Sequence, residues 1–198
     1  GSGKRTLINL IPRFYDVTKG SIKIDGVDVR DYDLKYLRKK IGFIPQKTLL
    51  FTGSIANNIK FGKKDAEYKE VEDSARIAQA YEFISNKPNK FDEIITEGGS
   101  NVSGGQKQRL SIARALVKNP DVYIFDDSFS ALDFKTDAAV RKALNEKTSH
   151  STMLIVAQRI STIMGANQII VLDEGKIVGK GTHKELLENC EVYKQIAL

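Results

Sequence analysis

Residues 101–116 read NVSGGQKQRLSIARAL, and the order of parts in this stretch carries the most information in the chain. Gly104 and Gly105 let backbone N–H groups come close to an anion without a Cβ in the way. The residues after them, through Ala115, have the composition of a helix whose first turn points a favourable dipole at that same place. A plain glycine cap and turn accounts for Gly104-Gly105. It does not account for the segments on either side.

Downstream stands DVYIFDD, residues 121–127. Four apolar residues, Val122 to Phe125, run into Asp126. This is the form of a buried strand whose terminal carboxylate supports Mg²⁺ opposite a phosphate-binding loop. Alone it is a weak signal, since buried strands often end in Asp. Upstream the chain opens GSGKRTLINL. Gly1-Ser2-Gly3-Lys4 matches the end of G-x-x-x-x-G-K-[ST], but Arg5 stands where the motif places a hydroxyl. A glycine-serine vector scar begins the same way, so these residues decide nothing by themselves. With no initiator Met and a start inside a motif, the chain reads as a fragment.

Between these landmarks the pattern alternates. TLINLIPRFYD (6–16) puts Leu7, Leu10 and Ile11 on one helical face, stopped near Pro12. GSIKIDGVDV (20–29) alternates Ile22 and Ile24 toward a hairpin signal at Asp25-Gly26. KIGFIPQ (40–46) is a short buried strand ended by Pro45. From Asp65 to about Asn86, Val71, Ala75, Ala78 and Ile84 recur at helical spacing behind a first turn rich in acids. DVYIFDD, STMLIVAQ and NQIIVLDEG are three further apolar runs. Helical stretches alternating with such runs predict parallel strands with crossover helices, an α/β fold.

Length and composition agree with that. A chain of 198 residues suits one domain with a sizeable core. No apolar run reaches the roughly 18–20 residues needed to span a bilayer. The net charge of +6 is scattered, with short clusters at 38–40 and 63–64 and no interleaved aromatics, so a nucleic-acid groove is not expected. The single Cys190 has no internal disulfide partner.

At this point the chain resembles the ATP-binding cassette family. The family signature L-S-G-G-Q stands here as Val102-Ser103-Gly104-Gly105-Gln106, with only the first residue altered. Nearly the whole chain matches in order: the loop end at Gly1 to Lys4, Gln46 after GFIP, the signature, VYIFDD, SALD (130–133), and VAQR (156–159). The resemblance makes Gly1-Ser2-Gly3-Lys4 a true loop remnant. It implies a P-loop core with a mostly parallel sheet, lacking its N-terminal part, over 1–64 and 120–198. A helical subdomain carrying the signature is implied over 65–119.

It also implies roles. Gly1, Ser2, Gly3 and Lys4 wrap the ATP β- and γ-phosphates, with Arg5 beside them, and Thr6 reaches the α-phosphate. Gln46 and Asp126 serve Mg²⁺, and Gln46 links the metal to a transmembrane partner. Ser103, Gly104, Gly105 and Gln106 close over the nucleotide held by a second cassette subunit. The adenine-stacking aromatic falls upstream of residue 1. TLLFTGSIANNIKFG (48–62) resembles the exporter segment that receives a cytoplasmic helix of the membrane domain, although Leu50 and Phe51 also suit ordinary core. TEGGSN (96–101) matches the exporter linker only loosely. His150 and His183 read as surface or satisfied histidines.

Three positions depart from a working ATPase of this family. Active sites carry Glu after the strand Asp; here it is Asp127, one methylene shorter, and a misplacement of about 1 Å costs on the order of a hundredfold in rate. Active sites carry His in the switch; here it is Gln158, which bonds but cannot become cationic. Arg5 offers no lone pair to Mg²⁺ and opposes its charge, which puts metal binding in doubt, yet a guanidinium can pair with phosphate oxygens. A spoiled site beside a nearly intact signature is what heterodimeric exporters of the family show. The expectation is therefore the ATP-binding domain of one half of such an exporter, at the cytoplasmic face of a membrane, with its transmembrane domain and a second cassette as partners. Alternatives are a fully catalytic homodimeric exporter ATPase, or a non-transport cassette protein of DNA repair or translation. The transported substrate is not legible.

Overall fold

The computed structural model describes residues 2–197. In chain order the first elements are α1 (Lys4–Leu10), β1 (Lys23–Ile24), β2 (Val27–Asp28), α2 (Leu34–Lys39), β3 (Ile41–Ile44) and β4 (Gly53–Ser54). Next come α3 (Ile55–Lys60), α4 (Tyr68–Ile77), α5 (Tyr81–Ser85), β5 (Ile94–Ile95), α6 (Gly104–Val117) and β6 (Val122–Asp126). The last are α7 (Phe134–Lys147), β7 (Thr152–Val156), α8 (Ile160–Ile163), β8 (Ile169–Asp173), β9 (Lys176–Gly181), α9 (His183–Asn189) and α10 (Glu191–Ala197). The chain forms two compact units, one from residues up to 37 together with those from 155 onward, the other from 38–154. Among the described residues no helix is long and apolar enough to cross a membrane.

The unit of 38–154 is built on the apolar runs read from the sequence. β3 and β6 pair in parallel, from Ile41 opposite Val122 to Ile44 opposite Phe125. β6 lies between β3 and β7 in the sheet and is buried along its whole length, as a strand covered on both faces must be. α6 packs near β3 and buries Leu110 and Ile112. Contact between α3 and α6 is close enough that a Cβ on Gly62 would stand 2.0 Å from the Arg114 carbonyl oxygen. Only glycine fits there.

The expected helix from Asp65 to Asn86 is two helices. α4 starts at Tyr68 behind a reciprocal cap between Glu67 and Glu70, and ends before Gln79, which takes φ 58°. The Gln79 carbonyl accepts from Arg109 Nη1 at 2.7 Å, a long-range bond that periodicity cannot sense. The expected apolar face is the buried one: Val71, Ala75, Ala78 and Ile84 are all fully buried.

In the other unit, Asp25 and Gly26 both take positive φ, 51° and 80°, between antiparallel β1 and β2. That is the two-residue hairpin the sequence announced. α1 buries Ile8, whereas Leu7, expected on the core face, is 45% exposed. NQIIVLDEG does not form a further parallel strand. It becomes β8, which turns at Glu174-Gly175 and pairs antiparallel with β9. Ile169 and Val171 then pack with Leu186, Cys190 and Tyr193 of the two C-terminal helices. His183 is half-buried and shares a 2.8 Å hydrogen bond with the Tyr193 hydroxyl, as a satisfied histidine should.

Candidate nucleotide site

The phosphate-loop remnant belongs to the first unit, and its Gly1 lies outside the described residues. Gly3 takes φ 89° and caps α1, a conformation that suits glycine alone among common residues, while its carbonyl accepts the Leu7 N–H at 3.0 Å. Lys4 Nζ donates to Ser2 Oγ at 2.9 Å. Lys4, Arg5 and Thr6 are exposed at the helix start, and the first turn holds no acidic side chain to compete with an anion. Gln158, just beyond β7, is exposed as well.

In the 38–154 unit two of the expected residues meet. Gln46 Nε2 donates to Asp127 Oδ2 at 2.8 Å, closing a span of 81 residues. Asp126 and Asp127, at and just past the end of β6, are both buried at 6% exposure. Asp127 adopts φ 50°, a left-handed conformation that Asp tolerates better than most residues. Ser128 Oγ donates to the Ile44 carbonyl at 2.6 Å and so ties the end of β3 to the residue following Asp127.

The signature residues form the start of α6. Ser103 is the N-cap: its Oγ accepts the Gln106 N–H at 3.2 Å, and Gln106 Oε1 accepts the Ser103 N–H at 3.0 Å. This reciprocal cap satisfies two helix-end donors. Gly104 faces open space, so its lack of a side chain answers no packing need inside this chain. Gly105 differs, because a Cβ there would sit 3.3 Å from the Ala131 carbonyl of the SALD segment. Asp133 caps α7 by accepting the Thr136 N–H at 2.9 Å and its hydroxyl at 2.7 Å, which holds its carboxyl below the usual range.

Sequence reading missed the residues that fix the loop after β3. Arg114 of α6 donates from Nε to the Asn58 carbonyl at 2.9 Å and from Nη1 to the Leu49 carbonyl at 3.0 Å. Burial draws its pKa down. Asn58, buried, bonds both backbone groups of Phe51. Leu50 is core at 5% exposure; Phe51, at 47%, lies out against Phe61 with ring centroids 4.7 Å apart. Gln108 is 2% exposed and bonds to Pro45 and Thr48. A glutamine in the buried stripe of a helix was the available signal.

The donor set suits a metal that arrives with its nucleotide. Asp126 and Gln46 supply hard oxygens of the kind Mg²⁺ takes, and phosphates and waters normally complete its octahedron. Among the described residues no group of three or more His, Cys, Asp or Glu could hold a metal unaided. Arg5 adds no oxygen.

Comparison with known proteins agrees with the fold and motifs. Residues 1–130 match the sequence profile of the ABC transporter family. The ABC transporter ATP-binding protein YfiB of Bacillus subtilis is 47% identical over 196 residues, covering 99% of this chain and 34% of that protein. An ATP-dependent lipid A-core flippase of Vibrio vulnificus is 46% identical over 197 residues, with the same coverages. A solved bacterial Atm1-family ABC exporter with ATP bound superposes at a TM-score of 0.94 with 39% identity, over 98% of this chain and 34% of that one. The chain belongs to the ABC transporter family, and it spans about a third of the length of these relatives.

Proposed function

We propose that this chain is the ATP-binding domain of one half of an ABC exporter, and that its own nucleotide site is degenerate. The observation that carries the second part is Asp127. Its carboxylate is one methylene short of the family's Glu and is engaged by Gln46 at 2.8 Å, which ties up an oxygen a general base would use. Arg5 in place of the metal-binding hydroxyl and Gln158 in place of the switch histidine support the same reading. The exporter part is supported by the similarity to the lipid A-core flippase and to the Atm1-family exporter.

In this reading Gly1 to Thr6 hold the phosphates, while Asp126 and Gln46 face any Mg²⁺ that accompanies ATP. Arg5 replaces part of the metal's charge by pairing with phosphate oxygens. Mg²⁺, when bound, neutralises phosphate charge. Residues 65–119 form the helical subdomain between core segments 1–64 and 120–198. Ser103 to Gln106 complete the site of a second, different cassette, and the open space at Gly104 suits that use. The exposed Leu49, Phe51 and Phe61 meet the transmembrane partner at the cytoplasmic membrane face.

The test is the fate of nucleotide on each cassette of the assembled transporter. After one turnover with photoreactive, radiolabelled ATP, this chain is expected to carry uncleaved ATP and its partner ADP. ADP forming on this chain as fast as on the partner means that the site is catalytic.

A further inference from the structure

We infer that Gln108 is a positioning residue for Gln46, gripping the loop on both sides of it from the helix that begins at the signature. Gln108 is 2% exposed, and both ends of its amide are used. Its Nε2 donates to the Pro45 carbonyl at 3.1 Å, and its Oε1 accepts the Thr48 hydroxyl at 2.7 Å. Pro45 and Thr48 flank Gln46, whose own Nε2 reaches Asp127 Oδ2 at 2.8 Å.

An apolar side chain of equal volume would fill the same space on α6. The amide adds a fixed separation and orientation between α6 and the loop, because a buried donor and acceptor each need a partner. The ends of the loop are held by other side chains, at Ile44 by Ser128 and at Leu49 by Arg114, the latter also from α6. What remains for Gln108 to set is the segment between them, and Gln46 is in it. A displacement of α6 at the signature is thereby passed to Gln46, and through it to Asp127, by hydrogen bonds that are directional rather than by slack packing. Gln108 touches no reacting group. It acts through Gln46.

The placement stands on the hydrogen bonds alone; its consequence for nucleotide binding at this chain's own site rests on the proposed function. The experiment is a double-substitution cycle in the full-length transporter. Gln108→Met keeps the volume and removes both bonds, Gln108→Glu keeps only the acceptor, and each is combined with Gln46→Ala. Gln108→Met is expected to weaken ATP binding at this chain's own site, read by photoreactive ATP labelling of this chain, about tenfold with Gln46 present, and less than about twofold once Gln46 is Ala. Gln108→Glu should fall between wild type and Met. Equal losses in both backgrounds overturn the inference. If this chain takes no ATP label in the wild-type transporter, the proposed function fails. The inference is then decided by thermal unfolding of wild type, Gln108→Met, Gln46→Ala and their double variant: destabilisations that do not add support it, and additive ones overturn it. If Gln108→Met does not fold, the cycle is read with Gln108→Glu, by the same criterion.

Discussion

Asp127 combines a short carboxylate, a left-handed backbone and a bond to Gln46. Its identity, like those of Arg5 and Gln158, was plain in the sequence, because a departure from a motif is visible wherever the motif is. Its backbone conformation and its partner were not, since they depend on a loop 81 residues away. The same holds for Asp28, unremarkable in sequence. Arg30 grips it from a side-chain nitrogen at 2.8 Å and the Arg30 N–H at 2.9 Å, drawing its pKa from 3.8 to about 2. A depressed folded-state value means the pair's contribution is complete above 3.8 and is lost as pH falls through about 2. Carboxyl-detected titration should place Asp28 near 2, and Arg30→Ala should move it back toward 3.8. An unmoved midpoint contradicts the pairing.

At the scale of elements, the strands and the signature helix were the legible part. Apolar runs located β3, β6 and β7, and the glycine pair at 104–105 marked the start of α6; in β3 and β6 burial dictates the pattern. Breaks and pairings were less legible. The α4–α5 break depends on Arg109 holding the Gln79 carbonyl, and β8 turned antiparallel because Glu174 and Gly175 both adopt positive φ. The glycines divide on the same principle. Gly62→Ala should destabilise the chain by about 3 kcal/mol or more, since its Cβ collides with the Arg114 backbone and not with a movable side-chain tip. Gly104→Ala meets nothing and gains helix propensity, so its stability should be unchanged or higher by about 0.5–1 kcal/mol. Thermal melts of the two variants check this. Equal losses would mean that Gly104 is structural.

For the whole molecule, the proposal is a division of labour between an impaired site and a sound signature. The family order of motifs carried the fold from sequence, and the 0.94 superposition bears it out over nearly the whole chain. What the sequence left unread was how the two motifs communicate. The hydrogen bonds from α6 through Gln108 and Gln46 to Asp127 supply a route inside one unit. The most direct test of the central claim is ATP turnover of the assembled transporter carrying Ser103→Arg or Asp127→Ala separately. Ser103→Arg puts a bulky cation where the signature closes over the partner's nucleotide, and should cost on the order of a hundredfold or more. Asp127→Ala acts on a site that already lacks the means for rapid hydrolysis, and should leave turnover within about threefold of wild type. If Asp127→Ala stops turnover as completely as Ser103→Arg, both sites are catalytic and the account is wrong.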